Sequence, residues 1–120
     1  MSQTLLVITR DSRLAQLAED GRGGDITVTV TTAPDALESS KPITADLILL
    51  DQDQPEDFTA FQLLRSMQAA GSSVPVIGLV SRDDLQDVLA FVRLGAKDVL
   101  RKPIRPVELR GVMRRYLEKA

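Results

Sequence analysis

The run Leu47-Ile48-Leu49-Leu50 stops abruptly at Asp51-Gln52-Asp53-Gln54-Pro55. Four consecutive large apolar residues leave no wet face, so the segment reads as a short strand covered on both sides. Such strands belong to the interior of a parallel sheet, and parallel neighbours need crossover connections, usually helices. In open α/β sheets, ligands and chemistry gather at the carboxyl ends of the strands. Asp51 stands at that end and is the first candidate reactive group.

The rest of the chain supplies the other strands and the crossovers. Thr4 to Ile8 reads as a buried strand, followed by Asp11 or Ser12 as a helix cap and by Leu14, Leu17 and Ala18 at helical spacing. Gly21, Gly23 and Gly24 end that helix. Ile26 to Thr31 alternates apolar and hydroxyl residues, which predicts an edge strand with one buried face. Pro34 opens a short helix with Ala36 and Leu37, closed by Ser39 to Pro42. Phe61, Leu63, Leu64 and Met67 give a third helix, ended near Gly71. Val74 to Val80 is a fourth strand, with Pro75 tolerated near its start.

Ser81-Arg82-Asp83-Asp84 has the form of a capping box for a helix over 83–95. Its stripe of Leu85, Val88, Leu89 and Val92 is expected to be mainly core, any apolar excess belonging to a partner face. Asp98-Val99-Leu100 is a short fifth strand. Pro106 opens a last helix over 106–118 that buries Leu109, Val112, Met113, Tyr116 and Leu117. Five strands alternating with five helices through short loops predict one three-layer α/β domain spanning 1–120. Leu6, Ile8, Leu47, Leu49, Val76, Ile77 and Leu79 should be almost fully buried.

Composition narrows the chemistry. Aromatic residues make up 3% of the chain, which predicts an aliphatic core and offers few platforms for stacking single-stranded nucleic acid. Without Cys there is no disulfide, thiol nucleophile or Cys-based zinc site, as suits a reducing cytoplasm. Without His there is no imidazole triad, imidazole metal site or phosphohistidine. The apolar run at 5–8 is too short for a signal peptide, and no run approaches a membrane span, so a cytoplasmic location is expected. The net charge of −2 combines +5 in residues 101–120 with −7 in the remainder. That basic end reads as a solvated helix face or a docking surface for an acidic partner. It does not by itself predict nucleic-acid binding, because no helix-turn-helix follows it.

The chain resembles, along essentially its whole length, the receiver domain of bacterial two-component response regulators. Leu47-Ile48-Leu49-Leu50-Asp51 followed by Pro55, Val74-Pro75-Val76-Ile77, Gly95-Ala96-Lys97-Asp98 and Lys102-Pro103 carry the resemblance. It implies a doubly wound, flavodoxin-like, five-stranded parallel sheet of order 2-1-3-4-5. It also implies that Asp51 is the phosphoacceptor position, that Lys102 contacts the phosphate, and that the Lys102–Pro103 peptide bond is cis. The helix at 83–95, the strand at 98–100 and the helix at 106–118 would form the interaction face, carrying Arg101, Arg105, Arg110 and Arg114 in some combination.

Other site positions depart from the family pattern. Where the family places two acidic residues after the first strand to hold Mg²⁺, this chain has Thr9-Arg10, with Asp11 one place later. The hydroxyl position at the end of the fourth strand is Val80, and Ser81, one residue on, should point the other way. The aromatic switch position on the fifth strand is Val99. The loop between Pro55 and Phe61 is one residue longer, with Thr59-Ala60 in place of Asp-Gly. Asp11, Asp51 and Asp53 are the carboxylates left to hold a metal, so Mg²⁺ binding is expected to be weakened and no cofactor is assigned.

These substitutions lead to an expected function of an atypical, non-enzymatic receiver acting through protein contacts, with phosphorylation of Asp51 weakened or absent. Its partners would be a histidine kinase, a downstream regulatory protein, or a second copy bound through the 83–118 face. The alternative is a working phosphoacceptor receiver. A remote third is a phosphatase of the haloacid-dehalogenase kind, for which Asp51-Gln52-Asp53 matches the nucleophile motif but no acidic pair follows on a later strand.

Overall fold

The Leu47–Asp51 strand lies at the centre of the computed structural model and has no exposed residue, as its unbroken apolar run requires. The structure describes residues 3–39, 42–81 and 84–117. In chain order the elements are β1 (Gln3–Ile8), α1 (Ser12–Gly21), β2 (Ile26–Thr31), α2 (Ala33–Glu38), β3 (Leu47–Asp51), α3 (Thr59–Ala69), β4 (Val76–Val80), α4 (Leu85–Arg93), β5 (Asp98–Arg101) and α5 (Pro106–Leu117). All neighbouring strands pair in parallel, in the order β2-β1-β3-β4-β5.

Alternate side chains of each strand build two apolar layers. Leu47 and Leu49 join Leu5, Val7 and Leu79 beneath α1 and α5, contacting Leu14, Leu109 and Leu117. Ile48 and Leu50 join Ile8 and Val80 beneath α3 and α4, contacting Leu64 and Phe91. The register Ile8–Leu50 and Asp51–Leu79 brings the carboxyl ends of β1, β3 and β4 to one edge. That edge holds Asp51.

Most expected core residues are buried, including Ile8, Leu47, Leu49, Val76, Ile77 and Leu79. Leu6 is only partly buried. It packs on the face of the sheet whose cover includes Ala36 and Leu37 of α2, a helix of six residues. Burial also fades along β2, from Ile26 at 7% exposure to Val30 at 48%. An edge strand is covered only where a helix lies over it, so strict alternation overstated its buried face.

The largest departure is in α4. Leu85, Leu89 and Val92 are 59%, 41% and 58% exposed, and the residue that helix buries completely is Phe91. The cause is a hole in β4: a Cβ built on Gly78 would lie 2.5 Å from the ring of Phe91. The ring occupies that space and packs edge-on against Phe61, with centroids 5.0 Å apart. Burying the bulkiest side chain turns Leu85, Leu89 and Val92 outward while Val88 stays partly buried against the core, and it puts an aromatic in a core expected to be aliphatic. The cap of α4 is Asp84, which accepts from the Asp87 amide, and Ser81 does not take that role. Arg82 and Asp83 of the expected capping box lie outside the described residues.

Candidate functional site

Asp51 is fully buried at the end of β3, and three donors reach its carboxylate. The Thr9 hydroxyl donates to Oδ2 at 2.7 Å. The Lys102 ammonium lies 2.7 Å from Oδ1, and the Asp53 amide donates to the same oxygen at 3.0 Å. Burying a carboxylate is costly unless it is paired and hydrogen-bonded, and here both oxygens are engaged. A cation, a hydroxyl and an amide thus hold the acid without any group from outside the chain.

Each of these donors is placed by the sheet. The Thr9 amide bonds to the Thr31 carbonyl and continues the β1–β2 ladder one residue past β1, leaving Thr9 only 3% exposed. Its hydroxyl also accepts from the Asp11 amide at 3.0 Å, so one oxygen joins Asp51 to the start of α1. The Lys102 amide bonds to the Val80 carbonyl, continuing the β4–β5 ladder, and the next peptide bond, Lys102–Pro103, is cis as the resemblance implied.

Arg10 is exposed and pairs with Asp53 at 2.9 Å, with both side chains about half exposed. It therefore does not bond to Asp51. Asp11 caps α1 by accepting from the Arg13 amide. Among the described residues, no group of three or more His, Cys, Asp or Glu side chains is arranged to hold a metal ion. Val80 is fully buried beneath α3 and α4, and Val99, opposite Gly78 on β5, is partly buried beside them.

A cavity of about 520 Å³ opens beside this cluster, with Asp11, Arg13 and Leu14 on one wall and Ser81, Lys102 and Pro103 on the other. Lys102 lines it and Asp51 does not. Ser81, expected to point away, shares this cavity with Lys102. The one-residue offset leaves Ser81 exposed at the rim of this cavity.

Gln54 is a member of the site that the sequence did not mark out. It is 4% exposed, and its amide group donates to the Ile8 and Asp51 carbonyls at 3.1 and 2.7 Å while accepting from the Ala33 amide at 2.8 Å. One side chain thereby ties the ends of β1 and β3 to the start of α2. A glutamine among Gln52, Asp53 and Pro55 looks like any loop residue; only the chain ends meeting around it show its role.

The arginines of the basic end divide between two faces. Arg115 pairs with Asp98 on β5 at 3.5 Å, and Arg105 pairs with Glu108 within its own segment. Arg110 and Arg114 instead line a small cavity with Gly21 and Arg22, beside the end of α1. Of the four arginines that the resemblance placed in some combination on the α4–β5–α5 face, these two border α1.

Comparison with known proteins agrees with this fold. A family model described as the response regulator receiver domain matches residues 10–114. The DNA-binding response regulator MtrA of Mycolicibacterium paratuberculosis is 31% identical over 122 aligned residues, covering 99% of this chain and 53% of the relative. The regulatory protein LuxO of Vibrio vulnificus is 34% identical over 98 residues, covering 82% of this chain and 21% of the relative. The chain thus spans about half the length of the first of these, and less of the second. In fold it is similar to the beryllofluoride-activated DrrB receiver domain (TM-score 0.83, 22% identity, 99% of this chain and 100% of the other). It is equally similar to the signal receiver domain of a LuxO repressor protein from Vibrio parahaemolyticus (TM-score 0.84, 21% identity, 99% and 92% covered).

Proposed function

The chain belongs to the family of response regulator receiver domains, and from that premise we propose that it signals through protein contacts, with Mg²⁺-dependent phosphorylation of Asp51 weakened or absent. The observation that carries this reading is the internal neutralisation of Asp51 by Thr9, Lys102 and the Asp53 amide. Phosphoryl transfer to a carboxylate concentrates negative charge, which a divalent cation normally neutralises. Mg²⁺ wants hard oxygen ligands in near-octahedral geometry. Here Thr9 supplies a neutral hydroxyl, Asp53 is paired with Arg10, and Asp11 caps a helix. This donor set does not suit the ion.

The same geometry gives the second reading its support. Lys102 is already in contact with Asp51 and borders an open cavity, so it is positioned to contact a phosphoryl group if one arrives. With Val80 in place of a hydroxyl residue, that group would lose a hydrogen bond linking it to β4. In both readings the domain is a signalling module, not an enzyme, that works in the cytoplasm. No helix among the described residues is long and apolar enough to cross a membrane.

The partner is a histidine kinase or a downstream regulatory protein, and the surface offered to it is α4–β5–α5. Leu85, Leu89 and Val92 form an exposed stripe at i, i+4 and i+7 on α4, and an apolar stripe of that spacing suits helix packing against a partner or a second copy. Contact with nucleic acid is no part of the proposal; the MtrA relatives named as DNA-binding extend well beyond the matched region.

An NMR titration with Mg²⁺ and then beryllofluoride, following the amides of Asp51, Val80 and Lys102, tests the reading. Small, non-saturating shifts at millimolar Mg²⁺ are expected. Saturation in the range of working receivers would overturn it in favour of the phosphoacceptor.

A further inference from the structure

At the amino ends of the strands, the opposite end of the sheet from Asp51, α1 and α5 border a surface cavity of about 160 Å³ lined in part by the exposed Arg22, Arg110 and Arg114. We propose that this cavity binds a phosphate or diphosphate group. It shares no residue with the Asp51 cluster, so the inference stands apart from the reading of that site.

The three guanidinium groups are unequally engaged. Arg22 is held in place: its Nε meets Glu19 at 2.7 Å, and a terminal nitrogen donates to the Ile26 carbonyl at 3.2 Å. A guanidinium has five N–H donors, so those two bonds fix the fork and leave the remainder for a ligand. Arg110 and Arg114 sit four residues apart on α5, and neither forms an ion pair with a described carboxylate. Like charges at that spacing repel. Arg110 runs its stem past α1, its Cγ 3.5 Å from where a Cβ on Gly21 would lie, so α1 and α5 are in contact at the cavity wall. Among the described residues, Glu19 is the one carboxylate ion-paired to any of the three.

Size and geometry select the ligand. The volume is about five times the ~30 Å³ share of a water molecule, and it falls short of the roughly 300–1,000 Å³ typical of pockets that enclose an organic ligand. A small anion is within this size, and the arginines supply the charge to hold one. Planar guanidinium forks match phosphate oxygens in pairs, and three arginines lining one cavity favour a multiply charged anion over chloride.

The test is an NMR titration of the 120-residue protein with sodium pyrophosphate at low ionic strength, with sodium chloride of equal ionic strength as reference. Saturable shifts are expected at the Gly21 and Gly23 amides and at the Arg22 side chain. The double variant Arg110→Gln/Arg114→Gln should bind at least about tenfold more weakly. Arg101→Gln/Arg105→Gln, which removes the same charge elsewhere in the basic end, should bind as the wild type does. Equal weakening in both pairs would mean diffuse charge attraction and would overturn the proposal, as would shifts centred on Lys102. Thermal unfolding of each variant establishes folding. Arg22→Gln, with α5 intact, provides an independent loss of binding should the α5 pair not fold.

Discussion

Thr9 and Asp51, 42 residues apart in the chain, are joined by a buried hydrogen bond in which the threonine hydroxyl donates to the carboxylate at 2.7 Å. The same hydroxyl accepts from the Asp11 amide, so Asp51 is coupled to the start of α1 through a single oxygen. A residue that brings no charge of its own thereby binds the buried acid. The acid it faces is satisfied from within the fold.

Restoring acids should reverse this state. Thr9→Asp/Arg10→Asp is expected to raise Mg²⁺ affinity, and adding Val80→Thr to raise labelling of Asp51 by acetyl phosphate further. Phosphoprotein mass spectrometry at fixed Mg²⁺ reads the outcome. Wild-type labelling as fast as that of the triple variant would remove the argument from Thr9 and Arg10.

Gln54 should be worth more than its place in a loop suggests. Gln54→Leu keeps the bulk but leaves the Ala33 amide and the Ile8 carbonyl without their side-chain partner. Each buried polar group left unsatisfied costs about 1–3 kcal/mol. Urea unfolding should show a loss of at least about 2 kcal/mol, against near-neutrality for Gln52→Leu in the same loop.

Gly78 and Phe91 should behave as one unit. Gly78→Ala puts a methyl 2.5 Å from the Phe91 ring and should cost about 1–3 kcal/mol through overpacking. In the Phe91→Leu background the added methyl should cost less, and a double-mutant cycle should give a coupling of about 0.5–3 kcal/mol. Strict additivity would show that the ring does not rest on that glycine.

Asp87 should make stability depend on pH. Burial, then the neighbouring Asp84 carboxyl, raises its pKa from 3.8 to about 6, and among the described residues its buried Oδ2 has no hydrogen-bond partner. The fold therefore favours the protonated form. Below about pH 4 both states hold the proton and the group contributes nothing. As pH rises from 4 to 6 the unfolded chain releases the proton first, so stability falls, and above 6 the full penalty remains. Asp87→Asn should be more stable than wild type at pH 7 by roughly 1 kcal/mol, the shift being discounted for solvent screening, and the gap should close near pH 4. Denaturant unfolding of both proteins across this range checks the sign. A gap that does not change with pH would assign the effect to packing.

The sequence by itself determined the strands and their order in the chain, because Leu47 to Leu50 and Val76 to Val80 are apolar runs too continuous for a half-wet element. It also marked Asp51 and Lys102, since motif spacing is a one-dimensional property. Local pattern could not decide which way α4 faces. Helical periodicity allowed a stripe of Leu85, Val88, Leu89 and Val92, and only the space above Gly78, on a strand of its own, made Phe91 the buried residue. The direction of Arg110 and Arg114 was equally hidden, because both flanks of α5 are polar and the neighbour on each flank is set by packing. Gln54 and the Thr9–Asp51 bond belong to the same class. Their partners come from strand ends that only the parallel sheet brings together, and a buried polar group reveals its role only once the backbone atoms around it are in place.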